Sequence, residues 1–188
     1  MGYDPTGDIN WGGVIAGLGI IAGAAIAIAT FGIGTGVGAI VAAAAMTTGA
    51  TMTYAAATES AMVVDMSGSY QKKQGVYGKA GISIIVDFSD DGGIYGYSHL
   101  GGGYGKSCGF SYSVGLVDNF NKPTDYSKHF VDVNAGNTVG LDHCFDPTRA
   151  YSNTTKATTI TFGKGSNHGM GYDYYSQPWI IKEWGAIA

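Results

Sequence analysis

The sequence predicts an α+β protein in which a hydrophobic helical hairpin precedes a Gly- and Tyr-rich antiparallel β domain. Three observations carry that prediction. Ile9 through Thr58 contain no charged side chain, in a chain of 188 residues. From Gly75 onward the apolar residues recur with a period of two. Turn-forming clusters then divide the chain into short runs, the signature of an antiparallel meander, sandwich or small barrel.

The uncharged run lies between Asp8 and Glu59 and is built from Ala, Gly, Ile and Val, with Thr thickening toward its end. At about 1.5 Å rise per residue and a ~30 Å hydrocarbon core, it suffices for two membrane spans and a turn. Alternate glycines from Gly32 to Gly38 make poor helix interior and place the break there. The first span is then Trp11–Phe31 and the second Ala39–Ala57. Trp11, Phe31 and Tyr54 stand toward the span ends, Trp11 and Tyr54 at the outer ends where aromatics favour the membrane interface. Gly13-x-x-x-Gly17 and Gly19-x-x-x-Gly23 have the small-residue spacing that lets two helix backbones approach closely. Leu occurs once in this run, at Leu18, so the hairpin gains little from hydrocarbon and suits a segment masked in water and inserted later. A hairpin buried in a soluble protein is the alternative, although the remainder of the chain is small for covering both helices.

No positive charge precedes the run, so the N-terminus does not read as a conventional signal peptide. Gly34-x-Gly36-x-x-Ala39 imitates a dinucleotide fingerprint but lacks the preceding strand that the motif requires.

Residues 59–74 read as a linker and 75–188 as the β domain. The strand-like runs are Gly81–Phe88, Ile94–Leu100, the alternating stretch around Phe110–Leu116, His129–Val133, Thr138–Phe145, Thr158–Gly163 and Gly169–Tyr175. In several of them a Gly/Ser face opposes an aromatic one. Tight curvature with a small inner face explains this, and is the preferred reading; membrane strands with lipid-facing aromatics are the other.

The formal net charge is −4 and the ten Lys and Arg are scattered, which argues against a nucleic-acid footprint, so no nucleic-acid partner is expected unless the β domain is an RNA-cleaving enzyme. Cys108 and Cys144 allow one disulfide without demanding it. Gly105-Lys106-Ser107 ends like a phosphate loop, but the earlier glycine is replaced by Leu100. In Asp142-His143-Cys144-Phe145-Asp146, strand alternation turns His143 away from Asp142 and Cys144. His143, with His99 or His168, is the candidate acid–base set if the β domain is enzymatic, for example RNA-cleaving. No metal site and no cofactor are expected, since no ligand spacing is recognisable.

Asp4-Pro5-Thr6-Gly7, followed closely by Trp11 and the Ala/Gly/Ile run, resembles the end of the core in rearrangement-hotspot (Rhs) polymorphic toxins. There a repeated Asp-Pro-x-Gly marks the junction between a β-cocoon shell and a variable C-terminal toxin. The resemblance covers Met1 to about Thr58 and implies that Asp4, Pro5 and Gly7 belong to that junction, with residues 59–188 as the variable tip, whose activity the family does not fix. It implies a secreted effector of bacterial competition, membrane-associated in the target cell, with the target membrane and a cognate immunity protein as partners. The expected action is permeabilisation of that membrane. A translocated enzymatic toxin and a non-toxic membrane-anchored binding module are the alternatives.

Overall fold

The computed structural model describes residues 10–31, 36–73, 75–136, 138–163 and 167–184. Asp4, Pro5 and Gly7 lie outside the described residues, as do the side-chain surroundings of Gly23 and Phe31. Helix α1 spans Trp11–Phe31 and α2 spans Gly36–Ala57, as the uncharged run and its glycine break predict. Asn10 caps α1, its side chain accepting the Gly13 N–H at 2.9 Å.

Eight antiparallel strands follow and close into a barrel. They are β1 (Ala61–Lys73), β2 (Gly75–Asp87), β3 (Gly93–Ser107), β4 (Gly109–Asp118), β5 (Lys128–Gly136), β6 (Val139–Phe145), β7 (Lys156–Gly163) and β8 (Asn167–Tyr175). Around the wall the order is β1, β4, β7, β6, β5, β8, β3, β2, and the β1–β2 ladder closes the ring. A ninth strand, β9 (Trp179–Glu183), pairs with Gly93–Gly96 at the start of β3, beside the ring.

Two expectations are corrected here. Residues 61–73 are not linker; they form β1, which pairs along its length with β2 and over Ala61–Ser69 with β4. The β domain therefore begins at Ala61 and not at Gly75. Segment 179–183, assigned no strand from sequence, is β9. Its Trp-Ile-Ile run is too short to show a period of its own.

The ends of the barrel differ. At one end β1–β2, β3–β4, β5–β6 and β7–β8 are joined by one to three residues. At the other, β2–β3, β4–β5 and β6–β7 are joined by five to ten. Two short 3₁₀ turns, Pro123–Tyr126 and Tyr151–Asn153, lie in these longer connections. Inside that end sits an apolar plug of Val63, Ile85, Tyr97, Tyr126, Phe130 and Tyr175. Tyr126 meets Tyr97, Phe130 and Tyr175 at ring centroid distances of 5.5, 5.0 and 4.9 Å.

The helix pair packs on the outside of the barrel. Val14, Ala55 and Ala56 bury against Met62, Phe88, Val114 and Phe162, so the pair covers the wall around β1, β4 and β7. Thr48 Oγ1 and Tyr112 Oη meet at 2.7 Å across this contact. The helices touch where backbones come closest. A Cβ at Gly17 would stand 2.6 Å from the Gly49 carbonyl oxygen, and one at Gly49 would stand 2.6 Å from that of Gly17. Gly13 is equally close to Ala56 and Phe88. Gly19 is corrected: nothing lies within 4 Å of a Cβ there, so it faces away from α2.

Candidate functional site

Strand alternation divides the barrel residues into an outer and an inner set, and the two are chemically opposite. Outward on β2 stand Val76, Gly78, Ala80, Ile82, Ile84 and Val86, with no polar side chain among them. Tyr70, Leu100, Tyr104, Phe110, Leu141, Ile160, Met170 and Tyr172 on the other strands are all exposed. Among the described residues, the outward Lys and Asp side chains stand only at strand ends, as Lys106, Asp118 and Lys156 do. An open apolar groove of about 490 Å³ runs along this wall beside Gly68, Tyr70, Ala80 and Leu100.

The inner set is polar through the middle and the short-turn end. Asp65 of β1, Lys79 of β2, His99 of β3, Asp132 of β5, Asp142 of β6 and Asp173 of β8 all turn inward, at or near full burial. Lys79 Nζ donates to Asp173 Oδ2 at 2.8 Å and stands 4.0 Å from Asp142 Oδ2. His99 Nε2 and Asp65 Oδ2 meet at 2.7 Å, and Ser83 Oγ donates to the same oxygen at 2.7 Å. Asn134 Nδ2 donates to Asp132 Oδ2 at 3.0 Å. Toward the short-turn end the lining becomes hydroxyl. Ser69 meets Ser107 at 2.8 Å, Ser67 meets Ser111 at 3.0 Å, and Ser113 meets Thr161 at 2.9 Å. A cavity of about 10 Å³, about the room one water needs, lies between Lys79, Asn134, Asp142 and these serines.

The inward glycines make this cluster possible. A Cβ at Gly101 would collide with the Asp173 carboxylate, and one at Gly171 with that of Asp132. Gly81 is equally tight against His99. On β4 the Gly/Ser face lines the lumen, with Ser111, Ser113 and Gly115 inward and Phe110 outward, as a tightly curved sheet requires. On Ile94–Leu100 the order is reversed: Tyr95, Tyr97 and His99 are buried inside, and Gly96 and Ser98 stand on the outer face.

The predicted histidines do not assemble. His99 lies in the lumen, stacked on Tyr175 at a centroid distance of 4.8 Å. His143 turns outward, as strand alternation predicted, with Nε2 2.9 Å from Tyr151 Oη and Nδ1 2.9 Å from Thr158 Oγ1. His168 lies on β8 near the short-turn end, where its Nδ1 accepts the Gly136 N–H at 3.3 Å. The buried Ser83–Asp65–His99 chain has its carboxylate in the middle, so the imidazole does not activate the serine as a nucleophile would need. Cys108 and Cys144 are both free thiols; Cys108 is exposed at the short-turn end and Cys144 is buried beside Tyr126. Burial pushes the Tyr126 phenol well above its ordinary range, and Cys144 adds to the shift.

Trp11 and Tyr54 are both exposed. By length and composition Gly38–Ala57 is, among the described residues, the one helical stretch able to cross a membrane. In α2 the hydroxyls of Thr48, Thr53 and Thr58 donate to carbonyls four residues back, at 2.7, 2.8 and 2.9 Å. Those bonds remove the polar cost that the threonines would carry in an apolar setting.

Sequence reasoning missed Lys79, Asp65, Asp132 and Asp173 as site residues. A signal was present. Each acid stands alone between two apolar residues, as in Val64-Asp65-Met66, Val131-Asp132-Val133 and Tyr172-Asp173-Tyr174. Comparison with protein-family models, with curated proteins and with solved structures gives no match.

Proposed function

We propose that this chain is a toxin-like effector of bacterial competition that inserts its barrel and helix pair into a target membrane and permeabilises it. One observation carries the membrane part: the barrel is apolar outside and charged inside. A protein surrounded by water has the opposite incentive on both faces. A membrane barrel needs an outward apolar band, aromatics toward its rims and a polar interior. Closure also supports this reading, since it leaves no unpaired ring edge to face hydrocarbon. Strands β1 to β4, of 10 to 15 residues, meet the ~9–11 residues a tilted span requires. Strands β6 and β7 have 7 and 8, so the bilayer would thin on that side. The toxin part rests on the Asp-Pro-x-Gly resemblance.

This reading differs from the hairpin-only expectation. The helices lie against the outer wall, with Ile15, Leu18, Val41 and Met46 exposed, and so extend the barrel's apolar surface. The enzymatic alternative lacks an assembled site among the described residues.

The test is liposome flotation of the full chain, with release of an entrapped dye and membrane potential recorded together. The expected result is flotation that survives high salt and carbonate, with dissipation of the potential. A monomeric protein that stays in the aqueous phase and leaves the potential intact refutes the proposal.

A further inference from the structure

We propose that the barrel lumen is a binding site for a small monovalent cation, an alkali ion or a proton, reached from the serine-lined end. The inference stands on the interior alone and goes beyond the membrane reading.

The first argument is the set of atoms left without partners. Asp132, Asp142, Asp173 and Asn134 each have a buried Oδ1 with no hydrogen-bond partner, and the His99 ring is likewise unpartnered at Nδ1, 3.9 Å from Asp173 Oδ2. Asp132 and Asp173 are 1% exposed and Asn134 is 5% exposed, so bulk water does not satisfy them. Unpaired buried acceptors are rare in folded proteins because each forfeits its solvation. The four oxygens are acceptors, so a guest that satisfies them is a cation or a donor. An anion finds no welcome, because Lys79 is already held by Asp173 and the Asn134 amide by Asp132.

The second argument is charge. Asp142, Asp132 and Asp173 line three neighbouring strands, β6, β5 and β8, and Asp65 turns inward from β1 on the opposite side. The cationic side chains facing them are Lys79 of β2 and His99 of β3; the other titratable groups inside are Tyr77 and Cys144, with Tyr175 against His99 and Tyr126 and Tyr97 beyond it in the plug. From β4 and β7, Ser113, Thr159 and Thr161 bring only hydroxyls. Even with His99 protonated, four ionised carboxylates would leave two negative charges unbalanced. Unbalanced charge in such a site costs far more than a missing hydrogen bond, so positive charge enters with a guest.

Size selects the guest. The cavity of about 10 Å³ beside Asp142 and Asn134 holds one water-sized particle. Among the described residues no three acidic, His or Cys side chains converge on one metal position, so a metal guest would rest on hydroxyl and amide oxygens as well. The cavity lining offers one carboxylate, Asp142, with Asn134 and five serines and with Lys79 beside them, too little negative charge for a divalent ion. The route runs to the short-turn end, past Ser67, Ser111, Ser69 and Ser107, because the aromatic plug closes the other end.

The experiment follows thermal unfolding of the full-length protein in sodium, potassium or N-methylglucamine chloride at equal ionic strength, each at several pH values. If an alkali ion is the guest, Tm in sodium or potassium exceeds that in N-methylglucamine by roughly 3–6 °C once the ion is about tenfold above its Kd. If the proton is the guest, cation identity is silent and the infrared spectrum of the wild-type protein keeps a protonated-carboxyl band above the ordinary carboxylate range. In either case Asp142→Asn and Asp132→Asn, which keep side-chain shape, should abolish the response, and Asp118→Asn on the outer rim should not. The infrared and cation arms need only the wild type, so a variant that misfolds does not decide the matter. A wild-type protein indifferent to cation identity and without the infrared band overturns the proposal. So does a response preserved in folded Asp142→Asn and Asp132→Asn.

Discussion

Leu100→Arg separates a barrel in lipid from a barrel in water. Leu100 is the middle residue of β3, seven from either end of Gly93–Ser107, and points outward with 69% of its surface exposed. Its cross-strand neighbours are Ala80 and Tyr174, both on the outer wall away from the helices. In water little is at stake. Fully burying a leucine is worth about 1.5–3 kcal/mol, and less than a third of this one is covered. The arginine stem recovers part of that, so the aqueous cost stays below about 1 kcal/mol. At the midplane of a bilayer an outward arginine costs about 2–4 kcal/mol. That corresponds to roughly thirty- to a thousandfold in the folded-to-unfolded ratio, since about 1.4 kcal/mol is tenfold. The assay is reversible urea unfolding of the protein reconstituted in phospholipid vesicles, read by tryptophan fluorescence. Leu100→Ala serves as the control for lost side-chain volume. The expected ranking is wild type, then Leu100→Ala, then Leu100→Arg far below. An arginine variant as stable in vesicles as the wild type, within about 0.5 kcal/mol, places the outer wall in water and removes the membrane reading.

Three further outcomes are expected. Gly17→Leu should open the helix pair, because its Cβ would meet the backbone of Gly49 and Thr53, at an overpacking cost of about 1–3 kcal/mol; Gly19→Leu should be neutral, and inter-helix crosslinking yields compare the two. Lys79→Met leaves Asp173 and Asp142 without their cation and should cost about 3–5 kcal/mol in chemical denaturation, and a change below about 1 kcal/mol would show that the pair is not structural. His143→Ala should leave growth inhibition and membrane association intact, since His143 touches only Tyr151 and Thr158 hydroxyls and the Phe145 ring outside the lumen; loss of inhibition in a folded variant would return the case to an enzymatic β domain.

The helices were legible because their signal is local. Fifty uncharged residues interrupted by alternate glycines leave few other solutions, and α1 begins at Trp11 and ends at Phe31 as read. Which face of each helix meets the other was not legible. Gly13-x-x-x-Gly17 and Gly19-x-x-x-Gly23 have the same spacing, and only the partner's backbone distinguishes Gly17, against Gly49, from Gly19 in the open. The strands were found wherever the period was two and a turn cluster marked the end. Strand β1 was lost because Asp65, Ser67 and Ser69 after a long apolar run look like the start of a polar linker. Barrel closure depends on the β1–β2, β1–β4 and β3–β8 ladders, which join segments far apart in sequence as well as near ones.

A period of two states that a strand has two faces but is silent on which one looks inward. Phe110, Tyr112, Val114 and Leu116 opposite Ser111, Ser113 and Gly115 describe a soluble strand and a membrane strand equally well. Solitary charges break that symmetry. An acid in the middle of a strand must lie on the side that can neutralise it, and Asp65, Asp132, Asp142 and Asp173 each share a face with Gly, Ser, Thr or Asn from the strands beside them. Four strands with one mid-strand acid each, and one strand with a mid-strand lysine, already require a common polar interior. Tyr70, Tyr104, Phe110 and Tyr172 are then left outside, while Tyr97, Phe130 and Tyr175 fill the long-loop end within. The same parity ties the two proposals together without making either depend on the other. The rule that expels Leu100 and Tyr172 from the lumen admits Asp173, whose second carboxylate oxygen has no donor there.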